Sequence, residues 1–178
     1  MDVCRLCGQA ASGAGAEAGK LCAACAASFR DELARRVRVI EDCRALLVRD
    51  ATFPTRLAHC DLLLDNARLL LPYEDKGLET LEPPPSDLLR RYEVQRERIV
   101  MEAVTAYTEL ASLRAEHADS IEAKVDTLVT GLRRLDGLAR ELADPSQVAP
   151  FEQTLMILAH EAHLDDLVLR KVGESGPS

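Results

Sequence analysis

Apolar residues recur at steps of three and four along most of this chain, the spacing of helices that bury one face. Phe29, Leu33, Val37, Ile40, Cys43 and Leu47 form such a face; with the helix-forming Ala23, Ala24, Ala26 and Ala27 they predict a helix over residues 24–50. A second helix is expected from Pro54, whose missing N–H is tolerated in a first turn, through Leu57, Leu63, Leu64, Ala67 and Leu70 to Leu71, with Pro72 ending it. Residues 72–85 contain Gly77 and Pro83-Pro84-Pro85 and read as a partly extended linker, after which Ser86 is suited to cap a helix.

The periodicity is most sustained beyond that point. Leu89, Tyr92, Ile99, Ala103, Ala106, Leu110 and Leu113 make one seam, interrupted by Arg96; Ile121, Val125, Leu128, Leu132, Leu135, Ala139 and Leu142 make another that is apolar throughout. Asp119-Ser120-Ile121-Glu122 between them has the form of a capping box. Residues 86–143 are therefore either two helices in a hairpin or one helix of about 85 Å at 1.5 Å per residue. Asp144-Pro145-Ser146 ends the run, and Pro150 opens a last helix through Phe151, Leu155, Leu158, Ala162 and Leu169. No stretch alternates like a strand, so the expected fold is all-α. Its parts are a small module over residues 1–30, a helical hairpin over 31–71, a linker over 72–85, a long-helix bundle or coiled-coil hairpin over 86–172 and a mobile tail over 173–178.

Composition narrows the core. Hydrophobic residues are 47% of the 178 but aromatics only 3%, with no Trp, so Leu, Val, Ile and Ala must fill the interior. The net charge of −8 is uneven: residues 1–50 hold eight Lys or Arg against seven Asp or Glu, leaving the remainder at −9. An acidic body disfavours a protein that coats nucleic acid over its whole surface. No apolar run approaches the ~20 residues that span a bilayer, and the first twenty residues lack the pattern of an export signal. The expectation is a soluble, cytoplasmic chain, in whose reducing surroundings paired thiols are metal ligands more often than disulfides.

Such thiols open the chain. Cys4-x-x-Cys7 and Cys22-x-x-Cys25 are separated by a glycine-rich stretch, Gly8 to Leu21, with no burial pattern, which reads as a loop. Two Cys-x-x-Cys turns at this spacing supply four thiolates to one tetrahedral ion and leave no place open for water or substrate, the chemistry of structural Zn²⁺. An iron–sulfur cluster, another soft metal, or redox-active or packed thiols are the alternatives. Gly8 fits the positive φ of a tight metal-binding turn, and Cys25 falls in the first turn of a helix, where free N–H groups favour a thiolate. One free-standing cysteine turn followed by a second that runs into a helix resembles a treble-clef or zinc-ribbon type of zinc finger, over residues 1–30. Thr52-Phe53-Pro54-Thr55-Arg56 and Pro83-Pro84-Pro85-Ser86 are similar to segments of uncharacterised bacterial zinc-finger proteins. The resemblance implies a metal, zinc, on Cys4, Cys7, Cys22 and Cys25; fingers of this type bind nucleic acid in some families and proteins in others, and the likeness brings no known activity.

Other residues invite chemistry less specifically. Cys43 and Cys60, with His59, suggest a second metal or a redox pair, although Cys43 lies on an apolar helix face where cysteine packs as a small hydrophobe. His160-Glu161-Ala162-His163 is one residue short of the zinc-protease helix motif; its histidines share a helical flank with Asp166 one turn on, and a solvated polar face is the simpler reading. Arg35, Arg36, Arg38, Arg44 and Arg49 bias the first helix positively, moderated by Glu41 and Asp42. No phosphate-cradling glycine motif and no nucleophile with a recognisable base appears, so enzymatic activity is not expected. The reading is a non-enzymatic adaptor or regulator that binds a protein partner through the zinc module and helical body, with homodimerisation along the apolar seam. A transcriptional regulator using the finger and the Arg-bearing helix, and a redox-responsive zinc switch, are the alternatives.

Overall fold

The structure is a computed structural model that describes residues 3–11, 20–49 and 51–174. It is all-α: α1 (Ala23–Leu47), α2 (Phe53–Arg68), α3 (Leu71–Glu74), α4 (Pro85–Glu116), α5 (Ile121–Ala139), a 3-10 turn at Pro145–Val148, α6 (Ala149–Glu161) and α7 (Asp165–Gly173). Among the described residues, extended pairing is limited to one isolated antiparallel bridge between Val3 and Ala10. The loop expected between the cysteine pairs falls largely on residues 12–19, and much of the expected tail on 175–178, outside the described residues. Among the described residues no helix is long and apolar enough to cross a membrane. The chain divides into two compact units, Met1–Arg96 and Glu97–Ser178, with the boundary inside α4.

In the first unit α1 and α2 pack against each other. Phe29, Ile40 and Cys43 of α1 are buried, as are Cys60, Leu63, Leu64 and Ala67 of α2, so the expected apolar faces are the ones that meet core. Between the helices Arg36 Nη1 donates to Asn66 Oδ1 at 3.0 Å, and Asn66 Nδ2 donates to the Leu62 carbonyl at 2.7 Å, which satisfies this buried amide. The first part of α4 is tied to α2 by Arg96–Asp61 at 2.6 Å and by the Cys60 thiol donating to the Tyr92 carbonyl at 3.4 Å.

Two expectations fail here. The second helix stops at Arg68, and Pro72 starts the short α3 instead of ending α2, because a proline in a first turn has no N–H that needs a partner. Ser86 lies inside α4; its amide donates to Glu74 Oε2 at 2.9 Å, so a carboxylate from α3 takes the capping role.

In the second unit residues 97–116 of α4 and α5 form a hairpin, which settles the choice between one long helix and two. A Cβ on Gly131 of α5 would come 3.0 Å from Ala111 Cβ of α4 and 2.8 Å from Leu155 Cδ1 of α6, so this glycine sets a close approach of three helices. Arg134 of α5 stacks over the Tyr107 ring at 4.9 Å. Ser120 caps α5 by accepting from the Ala123 amide at 3.1 Å; Glu122 is one place short of the reciprocal position, so the full capping box is not made.

The seam of α4 follows a different register from the one expected. Ile99 and Ala103 are buried, but burial continues through Val100, Val104, Thr108, Ala111 and Ala115, while Leu110 and Leu113 are exposed. A strict three-and-four alternation averages 3.5 residues per turn, and a helix at 3.6 drifts off it within two heptads. The last expected helix is also two. At its break the His163 amide bonds to the His160 carbonyl and the Leu164 amide to the Ala159 carbonyl, both at 2.9 Å, with His163 at φ +58°. This is a Schellman ending with buried Leu164 against buried Ala159.

Candidate metal centre

The first cysteine pair is placed by a small reverse turn. The Cys4 amide bonds to the Gln9 carbonyl at 2.6 Å, and the Gly8 amide bonds back to the Cys4 carbonyl at 2.9 Å. Gly8 takes φ +77°, the left-handed conformation that a side chain disfavours. The second pair is brought alongside when the Arg5 amide donates to the Lys20 carbonyl at 2.9 Å. Cys22 immediately precedes α1, and Cys25 sits in its first turn.

All four sulfurs lie within 4.8 Å of one another, and Cys7 and Cys22 are 3.7 Å apart. Four sulfurs bound tetrahedrally at about 2.3 Å would stand about 3.8 Å from each other, so the donor set fits a metal ion of that kind. The sulfur separation excludes a Cys7–Cys22 disulfide, whose bond is about 2.05 Å, and all six cysteines are free. Among the described residues this is the one group of three or more Cys, His, Asp or Glu ligands close enough to hold an ion.

Crowding shifts two thiols of the group in opposite directions. For Cys4, burial alone pushes the thiol up, but backbone amides of Cys22, Cys7 and Leu6 outweigh it and bring the thiol down to about 6. Cys25 is pushed up to about 12, chiefly by its contact with the Cys22 sulfur, then by that with Cys7, then by burial. Four thiolates in this volume repel one another, and complete ionisation requires a positive charge between them.

The module is welded to the helices. Cys4, Leu21, Phe29 and Leu78 form a buried cluster, against which Leu6, Cys22, Cys25, Ala26, Leu33 and Tyr73 pack. Phe29 and Tyr73 rings meet at 4.9 Å. Arg5 Nη1 donates to the Lys76 carbonyl at 2.7 Å, closing the loop after α3 over the module. Gly77 is at φ +68°, and a Cβ there would lie 2.7 Å from that same Arg5 nitrogen. Sequence reasoning missed Arg5, Leu21, Tyr73 and Leu78. Leu21 ends a stretch read as unable to bury anything, yet it is 1% exposed.

The other candidates separate. Cys43 and Cys60 are buried, both thiols pushed up first by burial, Cys60 to about 11, and Cys60 already donates to a carbonyl. They form no three-ligand group with His59, whose Nδ1 is buried without a partner. His160 and His163 do not share a helical flank, because the chain turns at His163; His160 Nδ1 instead stands 3.2 Å from Asp165 Oδ2. Of the arginines on α1, Arg35 and Arg36 both ion-pair with Glu32.

The fold and site together define an all-α chain with an N-terminal group of four cysteines able to hold a metal ion. Compared with protein-family models, curated proteins and solved structures, the chain matches none of them.

Proposed function

We propose that this chain is a non-enzymatic, zinc-binding adaptor or regulator, in which Zn²⁺ on Cys4, Cys7, Cys22 and Cys25 organises a treble-clef or zinc-ribbon type of finger as a docking surface. The observation that carries it is the convergence of four sulfurs within 4.8 Å on a turn and a helix start that are packed into a shared core. Four thiolates fill the coordination shell, so the ion supplies structure and charge neutralisation, with no open position for a reacting water. Zinc is favoured over an iron–sulfur cluster because one ion of tetrahedral preference suits sulfurs 3.7 Å apart. A cytoplasmic, reducing setting keeps the thiols available as ligands.

The helical body contributes the second part of the reading, contact with a protein. Ile121, 67% exposed at the start of α5, lines with Val125 and Leu167 a groove of about 400 Å³ flanked by Glu122 and Glu174 and by Arg170 and Lys171. The occupant proposed for this mixed rim is a second copy, for which a two-fold axis between the two sets of charges would face Glu122 and Glu174 of one protomer toward Arg170 and Lys171 of the other. The test combines metal analysis with light scattering. One zinc per chain, lost in Cys22→Ser and retained in the double variant His160→Ala, His163→Ala, is the expected metal result. A dimer that Ile121→Lys converts to monomer is expected in scattering. A metal-free reduced protein removes the zinc reading, and a wild-type monomer at all concentrations removes self-association.

A further inference from the structure

The four sulfurs are not equally protected. Cys4 is 2% exposed, walled by Leu21, Phe29 and Leu78, and Cys22 and Cys25 are half-buried where α1 begins. Cys7 is exposed. It lies in the turn that the Gly8 amide closes on the Cys4 carbonyl, and its exposure opens it to small solutes from solution. The Cys22 sulfur stands 3.7 Å from that of Cys7, and Cys22, unlike the enclosed Cys4, is only half-buried. A thiolate cluster with one accessible member and a neighbour in reach has the arrangement of a redox-sensitive site.

We infer that Cys7 is the modification site of this centre, the sulfur at which a hydroperoxide attacks, with Cys22 as the resolving thiol. The inference rests on the structural-zinc reading. In the first step the Cys7 thiolate attacks one peroxide oxygen, the O–O bond breaks, hydroxide leaves and Cys7 becomes a sulfenic acid. The Cys22 thiolate then attacks the Cys7 sulfur, forming the S–S bond and expelling a second hydroxide. Two sulfurs are each oxidised by one electron, and one hydrogen peroxide is reduced to two hydroxide ions. Cys4 and Cys25 alone make half a shell, which does not retain zinc. Of the two oxidised residues, Cys22 packs against the cluster of Cys4, Leu21, Phe29 and Leu78, so disulfide formation with loss of the ion loosens the turn and the start of α1 together. Cys43 and Cys60 are both buried and stay out of the reaction.

The experiment uses the full-length, zinc-loaded protein and less than one equivalent of hydrogen peroxide. A chromogenic chelator follows zinc release, and alkylation with peptide mapping identifies the oxidised cysteines. The expected first product is a Cys7–Cys22 disulfide formed in step with zinc release. Cys7→His, which keeps a zinc-binding nitrogen but no oxidisable sulfur there, is expected to slow release by about tenfold or more. A first product on Cys4 or Cys25, or wild-type release from Cys7→His, overturns the inference. If Cys7→His does not load zinc, the map of the wild-type product decides alone. Absence of zinc from the starting protein is a different result: it removes the structural-zinc reading itself.

Discussion

Gly131 offers a sharp test of the helix packing, because the same substitution at a second glycine of α5 should act in the opposite direction. A Cβ at Gly131 meets Leu155 Cδ1 at 2.8 Å and Ala111 Cβ at 3.0 Å. The Leu155 methyl can rotate only within a site where that side chain is fully buried, and Ala111 Cβ is fixed by its helix. Overpacking of this kind costs about 1–3 kcal/mol. Replacing a mid-helix glycine by alanine returns up to about 1 kcal/mol of helix propensity. The difference leaves Gly131→Ala less stable by about 1 kcal/mol, a fall in melting temperature of about 2–4 °C. Gly131→Val adds two methyl groups at the same contact and should lose about 3 kcal/mol. Around Gly137 a Cβ meets nothing within 4 Å, so Gly137→Ala receives only the propensity gain of about 0.5–1 kcal/mol. Urea unfolding followed by circular dichroism measures all three. A Gly131→Ala protein stabilised as much as Gly137→Ala would refute the close approach of α4, α5 and α6.

Three further outcomes are expected. With burial holding the Cys43 thiol up and Cys60 at about 11, neither should react with iodoacetamide in folded protein at about pH 8, and Cys60 reactivity should rise only as pH nears its folded value; rapid labelling of either by native-state mass spectrometry contradicts their burial. Gly77→Ala should destabilise the first unit by about 1–2 kcal/mol through its left-handed backbone, and part of that loss should disappear in an Arg5→Ala background, where the 2.7 Å clash is absent; additive urea midpoints would separate the two residues. His163→Gly, at φ +58°, should gain about 1 kcal/mol by thermal melting with unchanged metal content; a loss of metal would restore the histidine to a ligand role.

Much of this was legible from the chain. Phe29, Ile40 and Cys43 keep their three-and-four spacing because a helix pair buries one stripe of each partner, and each Cys-x-x-Cys turn holds its own two sulfurs near one another because their spacing is a covalent property of the chain. What escaped reading depends on contacts distant in sequence. Nothing local marks Arg5 as a donor to the carbonyl of Lys76, or Glu74 as the carboxylate that holds the Ser86 amide. Leu21 looks isolated among glycines and alanines until Phe29 and Leu78 enclose it. Leu110 and Leu113 were misplaced for another reason: an apolar residue one position off the buried stripe carries the same letter as one on it.

Cobalt substitution and chelation of the reduced protein test the central claim most directly. Cobalt in place of the native ion should give strong thiolate charge-transfer bands and the visible spectrum of a tetrahedral four-sulfur site, at one equivalent per chain. Removing the ion should then collapse the amide resonances of Arg5, Leu6 and Leu21, whose positions depend on the converged turns. A reduced protein that binds no transition metal, yet retains those resonances unchanged, would show that the four cysteines pack without an ion and that the head orders itself.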